Sequence, residues 1–131
     1  LHRKPEDEGL LGQAMDNGSG FIAFSPLAQG LLTDRYLKGI PSGSRASENR
    51  TLKKEIITPE ILNSLEKLDR MAAERGQTLA QMALAWILSN SLVTSVIVGA
   101  SSIGQLDSNL QSIRNTSFSA EEIEQINALT I

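Results

Sequence analysis

The chain has 131 residues, contains no cysteine and carries a formal net charge of −3, with acidic and basic residues interspersed along it. This length suits one ordinary domain, the charge argues against a nucleic-acid-binding surface, and the lack of cysteine excludes disulfides and is compatible with the cytoplasm. No apolar run approaches the ~20 residues that span a bilayer, and the lone His2 has no second metal ligand nearby, so we expect neither a membrane segment nor a metal site.

The first two predicted elements are a helix and a short strand. The helix runs from Pro5 to Asn17, with acidic residues in its first turn, and glycines follow it. The strand is the apolar run from Phe21 to Phe24, and Ser25-Pro26 closes it because proline cannot donate to a strand ladder. The order helix, strand is that of an α/β chain.

A long segment without sustained periodicity follows, from Pro26 to Thr58. It is rich in glycine and serine and it is basic, its cations being Arg35, Lys38, Arg45, Arg50, Lys53 and Lys54. A loop of this length in a compact domain is uncommon unless it is functional or disordered. Its cations form either a solvated rim or a cover over a phosphate-bearing ligand, and the residues alone leave both open.

Two helices are predicted next. Thr58-Pro59-Glu60 has the cap, proline and acid of a helix start, and Gly76 ends that helix. Thr78 and Gln81 have the spacing of a capping box at the start of the second helix, in which Met82 and Trp86 are core residues by default. A last capping box, Ser119 with Glu122, predicts a short final helix.

The stretch from Ser95 to Asn109 carries the strongest functional signal. The run Val96, Ile97, Val98 predicts a buried strand that stops at Gly99, and an apolar series at helical spacing follows at once: Ile103, Leu106, Leu110 and Ile113. Ser101 or Ser102 caps this helix, whose first amides have no partner within it and favour an anion. The turn is therefore either a phosphate site or an ordinary strand-to-helix connection.

Strands that alternate with helices predict a parallel sheet covered by helices. Two strands leave both edges of such a sheet open, so they do not complete it. Two consecutive strand-loop-helix units, the second with a glycine turn at a helix N-terminus, are typical of the last two units of a TIM (β/α)8 barrel, where phosphate sites commonly follow strands seven and eight. The initial leucine also suggests a chain cut from something longer.

Four motifs, in order, resemble the C-terminal part of the aldo-keto reductases. They are F-I-A-F-S-P-L-A-Q-G-L-L-T (21–33), I-P-S-G-S-R (40–45), A-Q-M-A-L-A-W (80–86) and V-I-V-G-A-S-S-I-G-Q-L-D-S-N (96–109). The branch with bacterial aldehyde reductases and potassium-channel β subunits is the most similar. The resemblance makes residues 1–131 the C-terminal segment of a single barrel domain whose N-terminal portion is absent.

The resemblance implies an NADPH-dependent reduction of aldehydes or ketones, with the cofactor across the C-terminal mouth of the barrel. Phe24 would stack on the nicotinamide, the segment Ser25, Pro26, Leu27, Ala28 and Gln29 would follow the pyrophosphate with Arg35 as its cation, and Arg45 would reach the adenosine. The 2′-phosphate and adenine would be held by Gly99, Ser101, Gln105 and Asn109.

Three residues depart from the family pattern. Asp34 stands where glycine is usual, beside the pyrophosphate cation. Ser108 stands where relatives often carry an acid for the adenine amino group, and Gln105 replaces an arginine of many branches, which leaves the preference for NADP over NAD open.

The family's catalytic Asp, Tyr, Lys and His lie on early barrel strands, upstream of anything present here. Tyr36 and Lys38 sit in the cofactor loop, so we assign this chain no catalytic residue and expect it to be inactive alone. Two alternatives to the reductase stay open: an NADPH-binding redox sensor that partners a membrane protein, as the channel β subunits do, and a truncated domain that forms homo-oligomers through its open sheet edges. The substrate is not predicted beyond a small carbonyl compound.

Overall fold

The computed structural model describes residues 3–44, 46–48 and 52–130. Its helices and strands alternate in the predicted order. The helices are α1 (Lys4–Asp7), α2 (Leu10–Asp16), α3 (Pro59–Glu74), α4 (Leu79–Ser89), α5 (Ile103–Leu110) and α6 (Ala120–Thr130). The strands are β1 (Ile22–Phe24) and β2 (Ser95–Ile97), and short 3-10 turns lie at Ala28–Gly30, Asp34–Tyr36, Lys54–Ile56 and Gln111–Arg114.

The two strands pair in parallel, as predicted. Ile22 lies opposite Ser95, Ala23 opposite Val96 and Phe24 opposite Ile97. Because side chains alternate across a sheet, Ala23 and Val96 share one face, which is half-buried, and the other pairs share the opposite face. That opposite face is uncovered, and the Phe24 side chain on it is 82% exposed. The expectation of a buried second strand is therefore wrong: one face of the strand pair is half-buried, and the apolar opposite face has no cover among the described residues.

The predicted single helix from Pro5 to Asn17 is two helices, which corrects that interpretation. Gly9 lies between them with a φ of 73°, in the left-handed region that glycine adopts without steric cost. The main chain therefore turns after α1 before α2 begins. Of the apolar side chains in α2, Leu11 is buried, whereas Leu10 and Met15 are exposed.

Helices α3 and α4 begin at the predicted caps. The Thr58 hydroxyl accepts a hydrogen bond from the Ile61 amide at 3.3 Å, and Pro59 occupies the first turn of α3. Thr78 and Gln81 form both hydrogen bonds of a capping box at the start of α4. Met82 is buried and Trp86 packs against the same core, which confirms both as core residues.

The long segment between β1 and α3 is anchored in the core. Tyr36 is 0% exposed and belongs to a cluster of buried residues with Leu31, Ala46 and Leu52 from the same segment. The rest of the cluster comes from the helices: Leu65, Leu68, Met71, Ala72, Leu79, Met82 and Ile126. Burial of apolar area at roughly 25 cal/mol per Å² stabilises the attachment of this segment to α3 and α4.

Helix α5 packs with its polar side inward. Its apolar stripe, formed with the turn that follows, is exposed at every position, from Ile103 at 88% through Leu106 and Leu110 to Ile113. The buried residues are instead Asn109 and, in the next turn, Ser112. Both α5 and that turn contact α4. The apolar stripe has no cover within 3–44, 46–48 and 52–130.

Arg75 joins the end of α3 to the start of α6. Its guanidinium donates to Glu122 Oε1 at 2.6 Å, to Gln77 Oε1 at 2.9 Å and to the main-chain oxygens of Ser117 and Asn115 at 2.9 and 3.3 Å. It also lies 3.8 Å from the centroid of the Phe118 ring. The Arg75 side chain is buried, so these contacts satisfy its charge away from water.

Glu122 is the partner of Arg75 and also half of the predicted capping box. Its Oε2 accepts from the Ser119 amide at 2.7 Å, and its own amide donates to the Ser119 hydroxyl at 3.1 Å. The Ser119 amide, and then the Arg75 guanidinium, lower the pKa of the Glu122 carboxyl from its ordinary value of 4.5. The capping box at Ser119 is confirmed.

Replacing Arg75 should destabilise the chain strongly. Arg75→Met removes the guanidinium and leaves Glu122 Oε1 and the main-chain oxygen of Ser117 without their donor, whereas the Asn115 oxygen keeps its bond from Gln77. We expect a loss of about 2–4 kcal/mol in the free energy of unfolding, measured by urea denaturation. Arg70→Met, on the exposed side of the same helix, is the control and should change it by less than about 0.5 kcal/mol. Equal effects of the two substitutions would contradict this role of Arg75.

Glu122 should make stability depend on pH in the acid range. Its pKa is lower in the folded than in the unfolded chain, so its contribution is fully present above the unfolded pKa of about 4.5 and is lost as the pH falls through the folded pKa. The Tm of Glu122→Gln should therefore fall less than that of the unsubstituted chain as the pH is lowered below about 4.5, in thermal melts followed by circular dichroism. Glu121→Gln is the control, and an identical pH profile for Glu122→Gln and the unsubstituted chain would contradict the prediction.

Candidate functional site

The carboxyl ends of β1 and β2 lie side by side. The last residues of the two strands, Phe24 and Ile97, are register partners. The segments that leave the strands therefore start from the same edge of the sheet, as the βα loops of a barrel do. The structure thus brings the two predicted halves of the site together.

The segment after β1 has an unusual main chain. Ser25, Ala28 and Gln29 have φ values of 54°, 46° and 61°, in the left-handed region that residues with a side chain seldom adopt. Hydrogen bonds from the Ala28 amide to Ser25 O and from the Gly30 amide to Leu27 O, both 2.9 Å, hold this compact turn. Such conformations cost free energy and concentrate at functional sites.

Other side chains of this segment differ in their burial. Pro26 and Leu27 are half-buried. The Gln29 side-chain oxygen is buried and has no hydrogen-bond partner among the described residues. Arg35 is exposed, and its amide donates to the Thr33 hydroxyl at 3.3 Å. Arg45, the second predicted cation, lies outside the described residues.

The turn after β2 places two serines at the N-terminus of α5. The Ser102 hydroxyl accepts from the Gln105 amide at 3.1 Å, so Ser102 is the cap. Ser101 donates to Gln105 Oε1 from both its amide, at 2.7 Å, and its hydroxyl, at 3.0 Å. A side chain built at Gly99 would meet no atom within 4 Å, so the space beside this glycine is open. Ser101 and Gln105 thus form one polar pair beside the first amides of α5.

Asn109 lies on the inward side of α5, one turn beyond Gln105. It is 5% exposed, and its side-chain nitrogen has no hydrogen-bond partner among the described residues. The neighbouring Ser108 is held by Gln81, whose Nε2 donates to Ser108 O at 2.9 Å and to Ser108 Oγ at 3.2 Å. A ligand contact with Asn109 needs a small movement that uncovers its amide group.

The other side chains and grooves that could take part in catalysis or binding do not form a second site among the described residues. Tyr36 is enclosed in the core, where its hydroxyl has no access to a substrate. No group of three or more metal-ligating side chains occurs in the part of the chain that the structure describes. An open groove of about 320 Å³ between α3 and α6 is lined by Lys67, Met71, Gln125, Ala128 and Leu129, none of them a predicted site residue. In the described ranges no helix is long and apolar enough to cross a membrane.

The sequence predicts that Gln81 caps α4 and does not predict its contact with α5. The capping signal, Thr78 followed by Gln81, concerns one helix and says nothing of a second helix. The contact depends on how α4 and α5 pack, for which the spacing of residues holds no signal. Gln29 and Asn109 are predicted as cofactor contacts by resemblance only, and nothing in the sequence predicts that their side chains are buried.

Known proteins similar to this chain include reductases and channel subunits. An L-glyceraldehyde 3-phosphate reductase of Escherichia coli O157:H7 is 50% identical over 130 residues, which are 96% of this chain and 38% of that protein. A probable voltage-gated potassium channel subunit beta of Arabidopsis thaliana is 43% identical over 101 residues, 75% of this chain and 31% of that protein. The chain therefore spans less than two fifths of the length of these relatives.

Two solved structures share the fold. A thermostable aldo-keto reductase in complex with the inhibitor epalrestat matches with a TM-score of 0.66 and 25% identity, over 98% of this chain and 36% of that one. The holo form of an aldo-keto reductase from Bacillus halodurans matches with a TM-score of 0.64 and 29% identity, over 98% of this chain and 39% of that one. The predicted fold class, an α/β portion of a TIM barrel, is confirmed.

The match to a family extends over the whole chain. The model of the Aldo/keto reductase family matches residues 1–131. With the motifs, the parallel strand pair and the barrel likeness, this match confirms the predicted resemblance: the chain belongs to the aldo/keto reductase family.

Proposed function

We propose that this chain supplies the NADPH-binding part of an aldo-keto reductase that reduces aldehydes or ketones to alcohols. The observation that carries the proposal is the juxtaposition of the two strand ends. One presents the exposed Phe24 ring, and the other leads to Ser101 and the first amides of α5. An aromatic ring beside a set of phosphate-binding donors suits a nicotinamide dinucleotide.

The residues present fit this cofactor in their chemistry. A dinucleotide with a 2′-phosphate needs donors for its phosphates and amide groups for adenine. The side-chain nitrogen of Asn109, a donor, is buried without a partner among the described residues, as an atom that awaits a ligand is. When bound, NADPH would supply the hydride that reduces the carbonyl carbon.

We propose that each predicted site residue contacts a particular part of the cofactor. Phe24 stacks on the nicotinamide, and Ser25, Pro26, Leu27, Ala28 and Gln29 follow the pyrophosphate, with Arg35 and Arg45 as cations. Gly99 leaves room for the adenosine end, and Ser101, Gln105 and Asn109 donate to the 2′-phosphate and adenine. The Ser101 hydroxyl turns from Gln105 to the phosphate, which is a charge-assisted and so stronger acceptor.

The proton for the alcohol comes from outside these 131 residues. Tyr36, the one tyrosine of the chain, is enclosed in the core. We therefore place the catalytic Asp, Tyr, Lys and His on barrel strands that precede this segment. The uncovered face of the β1–β2 sheet suits such strands, because a parallel sheet is stable when both faces are covered.

The substrate proposed for the whole reductase is a small carbonyl compound. The 50% identity to a relative named as an L-glyceraldehyde 3-phosphate reductase favours an aldehyde within this class. We propose the cytoplasm as its location, on the lack of cysteine in the chain. Association of copies through the open edges of the sheet stays a prediction.

A redox-sensing module is the second candidate. It is favoured by the 43% identity to a protein named as a probable potassium channel subunit beta. Such a module would retain the cofactor and turn over slowly, whereas a reductase would undergo many turnovers. Multiple turnover by the whole protein at ordinary aldehyde concentrations would decide for the reductase.

Replacing Ser101 should weaken cofactor binding. Ser101→Ala removes a hydroxyl donor to the 2′-phosphate, and we expect a loss of about 1–3 kcal/mol in the binding free energy of NADPH, measured by fluorescence titration. Arg45→Ala should act in the same direction. Ser19→Ala, before β1 at the opposite end of the sheet, is the control and should leave the Kd unchanged. Unchanged affinity in both Ser101→Ala and Arg45→Ala would mean that the phosphate is held elsewhere.

The chain alone should not reduce an aldehyde. With NADPH and 4-nitrobenzaldehyde we expect no NADPH oxidation above the rate of the buffer, measured by the absorbance of NADPH, because the one tyrosine of the chain, Tyr36, is enclosed in the core and the catalytic acid is placed outside the segment. The same mixture without the aldehyde is the control. Clear turnover by the 131 residues would contradict the placement of the catalytic acid outside them.

A further inference from the structure

The side chain of Gln81 makes two kinds of hydrogen bond, one within α4 and one to α5. Its Oε1 accepts from the Thr78 amide at 2.9 Å, which completes the cap of α4. Its Nε2 donates to the main-chain oxygen of Ser108 at 2.9 Å and to the Ser108 hydroxyl at 3.2 Å. Gln81 is 9% exposed, so a loss of these bonds would leave buried polar atoms without partners.

The contact with Ser108 fixes which side of α5 faces α4. Successive residues of a helix are set about 100° apart, so holding one of them against a neighbour determines the direction of all the others. With Ser108 held, Asn109 and Ser112 turn inward, and the apolar stripe that begins at Ile103 turns outward.

We propose that Gln81 is a positioning residue for the nucleotide. By setting the rotation of α5, it aims Gln105, its partner Ser101 and the unpartnered amide of Asn109 at one end of the cofactor. This inference rests on the proposed function, since it concerns the same binding site. In the part of the chain that the structure describes, the side chain of Gln81 forms hydrogen bonds with Thr78 and Ser108, so Gln81 acts through α5.

Gln81→Glu separates the cap from the contact with α5. Glutamate keeps an oxygen for the Thr78 amide and is common at this position of a capping box. It has no donor for the main-chain oxygen of Ser108 and brings a carboxylate against that oxygen, which it repels. Gln81→Met, an uncharged variant that removes both contacts, checks that the negative charge is not the cause.

Two control variants match the change. Gln77→Glu makes the same substitution where Nε2 also donates to a main-chain oxygen, that of Asn115, at 3.1 Å. Asn115 lies beyond α5 and is not a predicted nucleotide contact. Thr78→Ala removes the side-chain cap of α4 and leaves the bonds between Gln81 and Ser108 in place.

The probes are adenosine 2′,5′-bisphosphate, which carries the adenosine end alone, and reduced nicotinamide mononucleotide, which carries the other end. We expect Gln81→Glu and Gln81→Met to weaken binding of the bisphosphate by at least tenfold and binding of the mononucleotide by less than twofold. Gln77→Glu and Thr78→Ala should change neither by more than twofold. In the free chain, hydrogen exchange of the α5 amides should be at least tenfold faster in Gln81→Glu than in Gln77→Glu.

Equal losses for both probes in Gln81→Glu would overturn the inference, because they would indicate general loss of structure. Unchanged bisphosphate affinity in both Gln81 variants would also overturn it. Failure of the unsubstituted chain to bind the bisphosphate would contradict the proposed function instead. Hydrogen exchange then decides on Gln81 alone, and α5 amides that exchange no faster in Gln81→Glu would overturn its role in setting the helix rotation.

Discussion

The parallel pairing of β1 with β2 is the contact on which the candidate site depends. It joins segments that are about 70 residues apart in the chain, Ile22 with Ser95 being one partner pair. Without it, the turn after β1 and the N-terminus of α5 would not leave the same edge of a sheet. Of the intervening helices, α4 contacts β2, and the connection between the strands is the long crossover that parallel pairing requires.

The sequence predicts helix starts well, because the hydrogen bonds that cap a helix join residues close together in the chain. The capping boxes at Thr78 and Ser119 each involve residues three positions apart, so the sequence contains the whole interaction. The break at Gly9 is not predicted because the acidic residues before it and the apolar residues after it are compatible with one continuous helix. The presence of glycine alone does not determine its φ.

The direction in which α5 faces is a tertiary property and could not be predicted from its apolar spacing. The stripe that begins at Ile103 indicated the helix correctly, but the side that packs on α4 is the polar one. For the site, the family resemblance predicts the residues near Phe24 and Ser101, and the structure shows that the segments carrying them leave the same edge of the sheet. It also added Gln81, whose link to Ser108 has no counterpart in sequence spacing.

Tyr36 is one of several residues that attach the segment between β1 and α3 to the core. The part before it is short and starts from the strand edge, whereas the part after it carries the exposed Lys38. Beyond the ring, Ala46 and Leu52 are buried in the same cluster, so the segment is attached to the core on both sides of Tyr36. The position of the turn at Ser25 therefore depends on the core, and a substitution that loosens the packing around Tyr36 would displace the turn as well.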